Sequence, residues 1–334
     1  MTVVSRTVLD LRSRQEKYVS QTLLLAASWH RHCADHSSLE VYTVGRDSRV
    51  LRDFLDDIGV RCTLIPPSPN DDFSKTSNKI EASHADAGGR PVLLLDNDVC
   101  FVGGIRQLLD LPAGAIAASE AGNIRVTDEQ WSLIREQLGL PLLRRRFMAV
   151  NARAADGTDP VGSDSPGMPE RYLYLNSGVV RLPGGHDHRA LWRTYQRRVY
   201  GFFRDHPLST DAVTGSDQAG FASSVAAHGE FAWLPIGFNY RRGCFRVGMA
   251  TPDQIRILHL TGDVEGDFGL AQRIEAYWEQ MMFSRIKALP VAIPQVERRR
   301  RADIAQTVLE TVLGTVRGYD LERWLAAYRK ERAA

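Results

Sequence analysis

Apolar positions in the first third of the chain alternate between two periods. Val8–Leu11 is a short apolar run, and Leu39–Val44 and Arg61–Ile65 read as strands. Lys17–Arg31 instead places Val19, Leu23 and Ala26 on one helical face. Asp47–Ile58 aligns Val50, Leu51, Phe54, Leu55 and Ile58 along one helical stripe, which Gly59 ends. Ser74–His84 is predicted as a helix. Pro91–Asp96, PVLLLD, is the strongest strand, and a continuous apolar run of that kind suits a strand covered on both faces, as in a parallel sheet.

The middle of the chain changes character. Asp128–Leu138 is predicted as a helix, and Arg144–Glu170, rich in Gly, Pro, Asp and Ser, as a long loop or lid. Tyr172–Leu182 reads as a strand broken by Asn176-Ser177-Gly178. His186–Phe203 is helical with a basic face, and Ser216–Ala227 is a helix opened by the capping residues Ser216 and Asp217. Phe231–Leu234 and Ile255–Leu260 are short strands, and Leu270–Phe283 is a helix. Past Pro290–Pro294 come a charged run, Glu297–Arg301, and two amphipathic helices, Asp303–Val316 and Asp320–Arg332. This division predicts a domain over residues 1–288 and a helical tail over 289–334. Strand and helix alternate from the N-terminus to about Asp98, which predicts an α/β, Rossmann-like half-sheet. Ligands of such sheets bind beyond the carboxyl ends of the strands.

Composition narrows the class without fixing the chemistry. The chain has 334 residues, 43% hydrophobic and 25% charged, as in an ordinary soluble globular protein, and a net charge of +2 that argues against nucleic acid as a partner. Cys33, Cys62, Cys100 and Cys244 show no paired spacing, which predicts reduced thiols rather than a zinc or redox motif. No apolar run reaches the roughly 20 residues needed to span a bilayer, and the N-terminus lacks the apolar stretch of a secretory signal. A cytoplasmic protein is therefore expected. The tail reads either as a packing or homodimer element through Ile304, Val308, Val312 and Val316, or as an anchor to an anionic membrane face through Arg298–Arg301. The lack of an aromatic-rich apolar face favours the first.

The chemistry concentrates where PVLLL runs out, in Asp96-Asn97-Asp98. Two carboxylates beside the apolar run Val99-Cys100-Phe101-Val102 are costly unless a site uses them. At a strand end they can serve one divalent ion and one ribose: Asp98 as direct ligand, Asp96 on the ribose or a metal-bound water, and Asn97 through hydrogen bonds. Hard carboxylate oxygens suit magnesium or manganese, and one added imidazole shifts the preference to manganese. Taken alone the triplet is weak, since Asp also starts ordinary turns.

Four further segments occur with it in a fixed order. LLLDNDVCFVGGI resembles the DxD segment of GT-A glycosyltransferases, especially the retaining family of glycogenin and the bacterial lipopolysaccharide galactosyltransferases. YLNSGVVRL, SDQAGF, LPIGFNYR and ILHLTGD resemble that family's later segments, so the resemblance runs from about Val8 to Phe283. It implies a GT-A fold with a mixed central sheet and a metal-dependent transfer of sugar, with retention, from a nucleoside-diphosphate sugar, UDP-sugar favoured, to an acceptor hydroxyl. By position it implies His259 as a further metal ligand beside Asp96 and Asp98, with Mn2+ or Mg2+ as the ion. It also implies Asn176 and Ser177 along the donor sugar, Asp217 and Gln218 facing the reacting sugar, and Lys79 on the donor sugar or phosphate. Leu11 and Tyr18 are implied near the base. The bland alternatives are a core histidine at 259, a turn at 176–177, an N-cap at 217 and a solvated lysine at 79.

The sequence departs from the family after ILHLTG. The family places a lysine and an aromatic pair there, whereas this chain has Asp263 and then VEGDF. Diphosphate contact is then expected from Arg241 or Arg242, whose bland reading is an exposed basic loop. The departure leaves two alternatives: a non-catalytic sugar-nucleotide-binding protein, and an inverting enzyme with Asp217, Asp263 or Asp267 as base. A pyrophosphorylase is disfavoured because TVLDLRSRQEK has no glycine for a phosphate loop. A haloacid-dehalogenase-type phosphatase is disfavoured because Cys100 stands where its motif has Thr or Val.

Overall fold

The computed structural model describes residues 2–12, 16–71, 75–121, 128–140, 144–146, 170–206, 216–241, 252–260, 270–283 and 295–333. Its strands are β1 (Val3–Asp10), β2 (Ser37–Val44), β3 (Arg61–Ile65), β4 (Val92–Leu95), β5 (Val99–Phe101), β6 (Ile116–Glu120), β7 (Arg144–Arg146), β8 (Glu170–Tyr172), β9 (Leu175–Leu182), β10 (Phe231–Trp233), β11 (Tyr240–Arg241) and β12 (Ile257–His259). Its α-helices are α1 (Glu16–Cys33), α2 (Arg49–Asp57), α3 (Asp128–Leu138), α4 (Arg189–Asp205), α5 (Ser216–His228), α6 (Leu270–Phe283), α7 (Gln295–Gly318) and α8 (Leu321–Ala333). Among the described residues a seven-stranded sheet runs β10-β6-β9-β4-β1-β2-β3, and β11-β12-β5 form a second, three-stranded sheet. No described helix is long and apolar enough to cross a membrane.

The chain divides into two compact units. One comprises Met1–Arg6, Pro67–Asp96 and Gln107–Pro235. Its centre is β9, buried along its whole length, with β4 and β6 both antiparallel to it. The large sheet is thus mixed rather than parallel at PVLLL. The polar triplet does not break β9, contrary to its turn-like composition. Asn176 Oδ1 accepts from Gly178 N at 2.9 Å, and Gly178 O accepts from Asp96 N at 2.7 Å, so the backbone stays paired. The loop expected over Arg144–Glu170 is ordered at its ends, where β7 and β8 pair antiparallel; residues 147–169 lie outside the described part.

Lys75–Ser83 forms a 3-10 segment rather than an α-helix. Its side chains explain the difference. Asn78 accepts from Ser68 N at 2.8 Å and donates to Asp71 at 3.0 Å, while Ser77 Oγ lies 3.1 Å from Asn70 O. Such bonds compete with the regular helical ladder.

The second unit comprises Thr7–Pro66, Asn97–Arg106 and Ile236–Ala334. In α2, the Ser48 side chain caps the first turn through Leu51 N at 3.2 Å, and the stripe Leu51, Phe54 and Leu55 is buried. Gly59, at φ +69°, ends the helix as its sequence predicts, with Val60 N returning to Leu55 O at 2.8 Å. In the tail, Ile304, Val308, Val312 and Val316 are buried within the chain, and the charged run falls inside α7 rather than ahead of it. Cys33, Cys62 and Cys100 are free thiols; Cys244 lies outside the described residues.

Candidate functional site

The DND turn is fixed at both ends by backbone pairing. Asp96 N is held by Gly178 O as β4 runs out, and β5 begins at Val99. Within the second unit β5 runs antiparallel to β12, with Val99 opposite His259, and Asp98 O accepts from Leu260 N at 2.7 Å. That register sets the Asp98 and His259 side chains against each other, with His259 Nε2 3.2 Å from Asp98 Oδ1. This Asp98 oxygen is buried and accepts no hydrogen bond. The other ring nitrogen, Nδ1, lies 2.9 Å from Asn239 Oδ1. An amide oxygen only accepts, so Nδ1 carries the proton, and in the neutral ring the lone pair of Nε2 points toward the carboxylate. Asp96, Asp98 and His259 each offer a ligand atom within 4.8 Å of the others.

Lys79 organises the neighbouring polar groups of the first unit. It is buried, and its Nζ donates to Asp96 Oδ1 at 2.6 Å, to Ser177 Oγ at 3.0 Å and to Ser177 O at 3.2 Å. A buried ammonium requires such partners, and the carboxylate supplies the charge. Asp217, at the start of α5, feels the same cluster. Desolvation raises its carboxyl above the ordinary range, Lys79 opposes that rise, and the Asp96 carboxylate adds to it. Gln218 follows on α5 and is half-buried. Lys79, Asp96, Ser177 and Asp217 thus share one electrostatic environment, and Asn176 is buried beside Ser177 in β9.

The remaining predicted residues divide. Arg241 is buried in β11, in register with His259, and so is not part of an exposed loop; Arg242, Asp263 and Asp267 lie outside the described residues. Leu11 is buried after β1, with its N donating to Val44 O at 2.9 Å, and Tyr18 is half-buried in the first turn of α1. Neither makes a hydrogen bond or ion pair to the Asp98–His259 pair. Asn239 is the residue that sequence reasoning left without a role. It stands in the segment LPIGFN, and its partner His259 lies 20 residues away in sequence.

The fold is of the GT-A type, and the comparisons give the family. Residues 13–209, more than half of the chain, match the Rhodobacterales glycosyltransferase domain. The chain belongs to that family and is a glycosyltransferase. Its fold is similar to that of an active-site mutant of LgtC, at TM-score 0.50 and 16% identity over 89% of this chain and 99% of that one. Mouse xyloside xylosyltransferase 1 in its apo form also aligns, at TM-score 0.43 and 15% identity over 78% of this chain and 97% of that one. No curated protein matches the sequence.

Proposed function

We propose that this glycosyltransferase takes its sugar from a nucleoside diphosphate, UDP favoured, and delivers it to an acceptor hydroxyl with retention, using manganese or magnesium. The observation that carries this reading is the Asp96–Asp98–His259 group with Asn239 behind the imidazole. The residues fit a divalent ion. Asp98 keeps a buried carboxylate oxygen with no donor, a costly arrangement that a cation would relieve. His259 is oriented through its far nitrogen, as metal-ligating imidazoles are. Asp98 and His259 would hold the ion directly. Asp96, already engaged by Lys79, would hold the ribose or a metal-bound water. A mixed oxygen and nitrogen set favours manganese over magnesium. An ion bound there would supply positive charge against the negative charge that grows on the departing diphosphate.

The chain's own residues supply the rest. Lys79 brings a fixed positive charge to the donor, and Ser177 and Asn176 hold the sugar hydroxyls. Asp217 and Gln218 face the anomeric carbon, where the positive charge of an oxocarbenium-like transition state develops. Arg241 offers the diphosphate contact in place of the lysine that Asp263 displaces. The departing phosphate takes the acceptor's proton, so retention needs no separate base.

A thermal-shift screen of nucleoside diphosphates with and without manganese tests the reading. UDP is expected to raise the melting temperature only when manganese is present. Asp98→Ala is expected to abolish that shift while the protein still melts cooperatively. An unchanged shift in the variant would remove Asp98 from the site, and a GDP-selective shift would change the donor class. Asp263, standing where related enzymes carry lysine, supports a binding-only protein as the second reading. Metal-dependent hydrolysis of a UDP-sugar excludes it.

A further inference from the structure

Outside the residues already assigned, one fully buried polar side chain joins the segments that present Lys79 and Asp217. Gln196 lies on α4 and is completely enclosed. Its Oε1 accepts from Asn70 Nδ2 at 3.1 Å and lies 3.1 Å from Ser77 Oγ, whose single proton it shares with Asn70 O. Ser77 is two residues before Lys79 in the 3-10 segment, so this contact ties α4 to the backbone that aims the lysine. Neighbouring positions on the same helical face reinforce it. Arg193 O accepts from Asn70 Nδ2 at 3.0 Å, Arg193 Nε donates to Glu81 Oε1 at 3.0 Å, and Arg197 Nη2 donates to Asn70 Oδ1 at 2.8 Å.

On its other side Gln196 meets α5. Gly220 lies so close that a Cβ added there would stand 2.6 Å from Gln196 Cα, a distance that real side chains do not adopt. Gly220 is three residues after Asp217, one turn along the same helix. Gln196 Nε2 is buried and has no hydrogen-bond partner. An amide kept in the core with its donor unsatisfied costs on the order of 1–3 kcal/mol. A leucine or methionine would remove that cost but take the acceptor away from buried Asn70 Nδ2, so the amide is kept for what its oxygen holds in place.

We infer that Gln196 is a positioning residue that fixes Lys79 relative to Asp217, through Ser77 and Asn70 on one side and the Gly220 contact on the other. The inference rests on the proposed roles of Lys79 and Asp217. It places a determinant of Lys79 geometry on α4, apart from the residues assigned to the donor.

A double-mutant cycle of Gln196→Met and Lys79→Met tests it, read on turnover of a UDP-sugar with manganese and on urea unfolding. Gln196→Met is expected to lower kcat by about tenfold, since a displacement of about 1 Å costs that much or more, with donor KM changed by less than about threefold. The double variant should be no slower than Lys79→Met alone. Gln196→Glu, which keeps both acceptor contacts, should restore most of kcat. Equal fractional losses in the two Lys79 backgrounds, or reduced stability with unchanged kcat, overturn the inference while leaving the glycosyl-transfer reading intact. A wild-type protein that turns over no sugar nucleotide sinks that reading instead. The unfolding arm then decides the coupling alone: non-additive stabilities for residues 196 and 79 support it, and additive ones overturn it.

Discussion

Asp98 and His259 owe their relation to backbone register, and the chemistry of the pair depends on a third residue. Asn239 Oδ1, 2.9 Å from His259 Nδ1, selects the tautomer whose lone pair faces Asp98. The residue is itself placed by a tight backbone approach. Gly237, two positions earlier, would carry a Cβ 1.9 Å from Gln254 O, and Gly237 O accepts from Arg256 N at 2.8 Å. Removing the amide takes away the acceptor at Nδ1 that sets this tautomer. Asn239→Leu is therefore expected to weaken manganese binding by roughly 10–100-fold, the usual cost of losing the partner behind a ligating histidine. Titrating manganese into the apo protein by calorimetry measures this directly. An affinity within twofold of wild type would mean that Asn239 orients nothing. The carboxylates of this group were legible in the sequence because charge next to an apolar strand is conspicuous. Asn239 was not, because a hydrogen bond across 20 residues leaves no local periodicity.

Among the elements, the continuous apolar runs and the capped helices were readable, and the polar junctions between elements were not. Asp128–Leu138 and Leu270–Phe283 have the bounds their patterns predict, and α2 ends at Gly59 for the stated reason. The strand β9 and the 3-10 segment at 75–83 differ from expectation because tertiary hydrogen bonds to Asn176, Gly178, Ser77 and Asn78 override local turn and helix preferences. The α4–α5 junction is a third case, with a testable pH dependence. Ser224 Oγ donates to Phe221 O at 2.7 Å, so it accepts from His188 Nε2 at 2.9 Å. His188 Nδ1 then accepts from His186 Nε2 at 3.0 Å. Burial, with His186 and His228 nearby, lowers the His188 pKa to about 3, against a small opposing effect of Asp187. The folded protein thus keeps His188 neutral, while the unfolded chain protonates it near the ordinary value of 6.5. The unfolded state binds the extra proton, so this stability is complete above pH 6.5 and is lost as pH falls toward 3. The loss amounts to about 2 kcal/mol between pH 7 and pH 5. Urea unfolding of wild type and His188→Gln at the two pH values isolates the term, because other titrating groups contribute equally to both proteins. Parallel pH slopes in the two proteins would contradict it.

At the scale of the whole chain, the last helix is part of the architecture of its unit. α8 packs on α1 and α2, with Trp324 edge-on to Phe54 at a ring separation of 5.3 Å. Its charges are placed against the other helices. Arg329 Nη2 donates to Glu16 Oε1 at 2.6 Å in the first turn of α1, and Glu322 Oε1 accepts from Ala271 N at 2.9 Å in the first turn of α6. Glu331 reaches the N-terminus of α2, where Oε1 accepts from Arg49 N at 2.7 Å and Oε2 accepts from Ser48 Oγ at 2.5 Å. The first amides of a helix have no partners within it, and they carry the positive end of its dipole. A carboxylate there answers both needs, so α8 completes a helix that lies some 280 residues earlier in the sequence. Glu331→Ala is expected to destabilise the protein by about 1 kcal/mol, with Glu331→Gln losing less because the amide oxygen still accepts. Half a molar of salt should shrink the difference between wild type and Glu331→Gln, since screening weakens the charge–dipole part alone. The manganese-dependent UDP shift should survive both substitutions, because Glu331 caps α2 and belongs to no part of the Asp98–His259 pair. If Glu331→Ala unfolds at the wild-type urea concentration, the contact at α2 contributes nothing to stability.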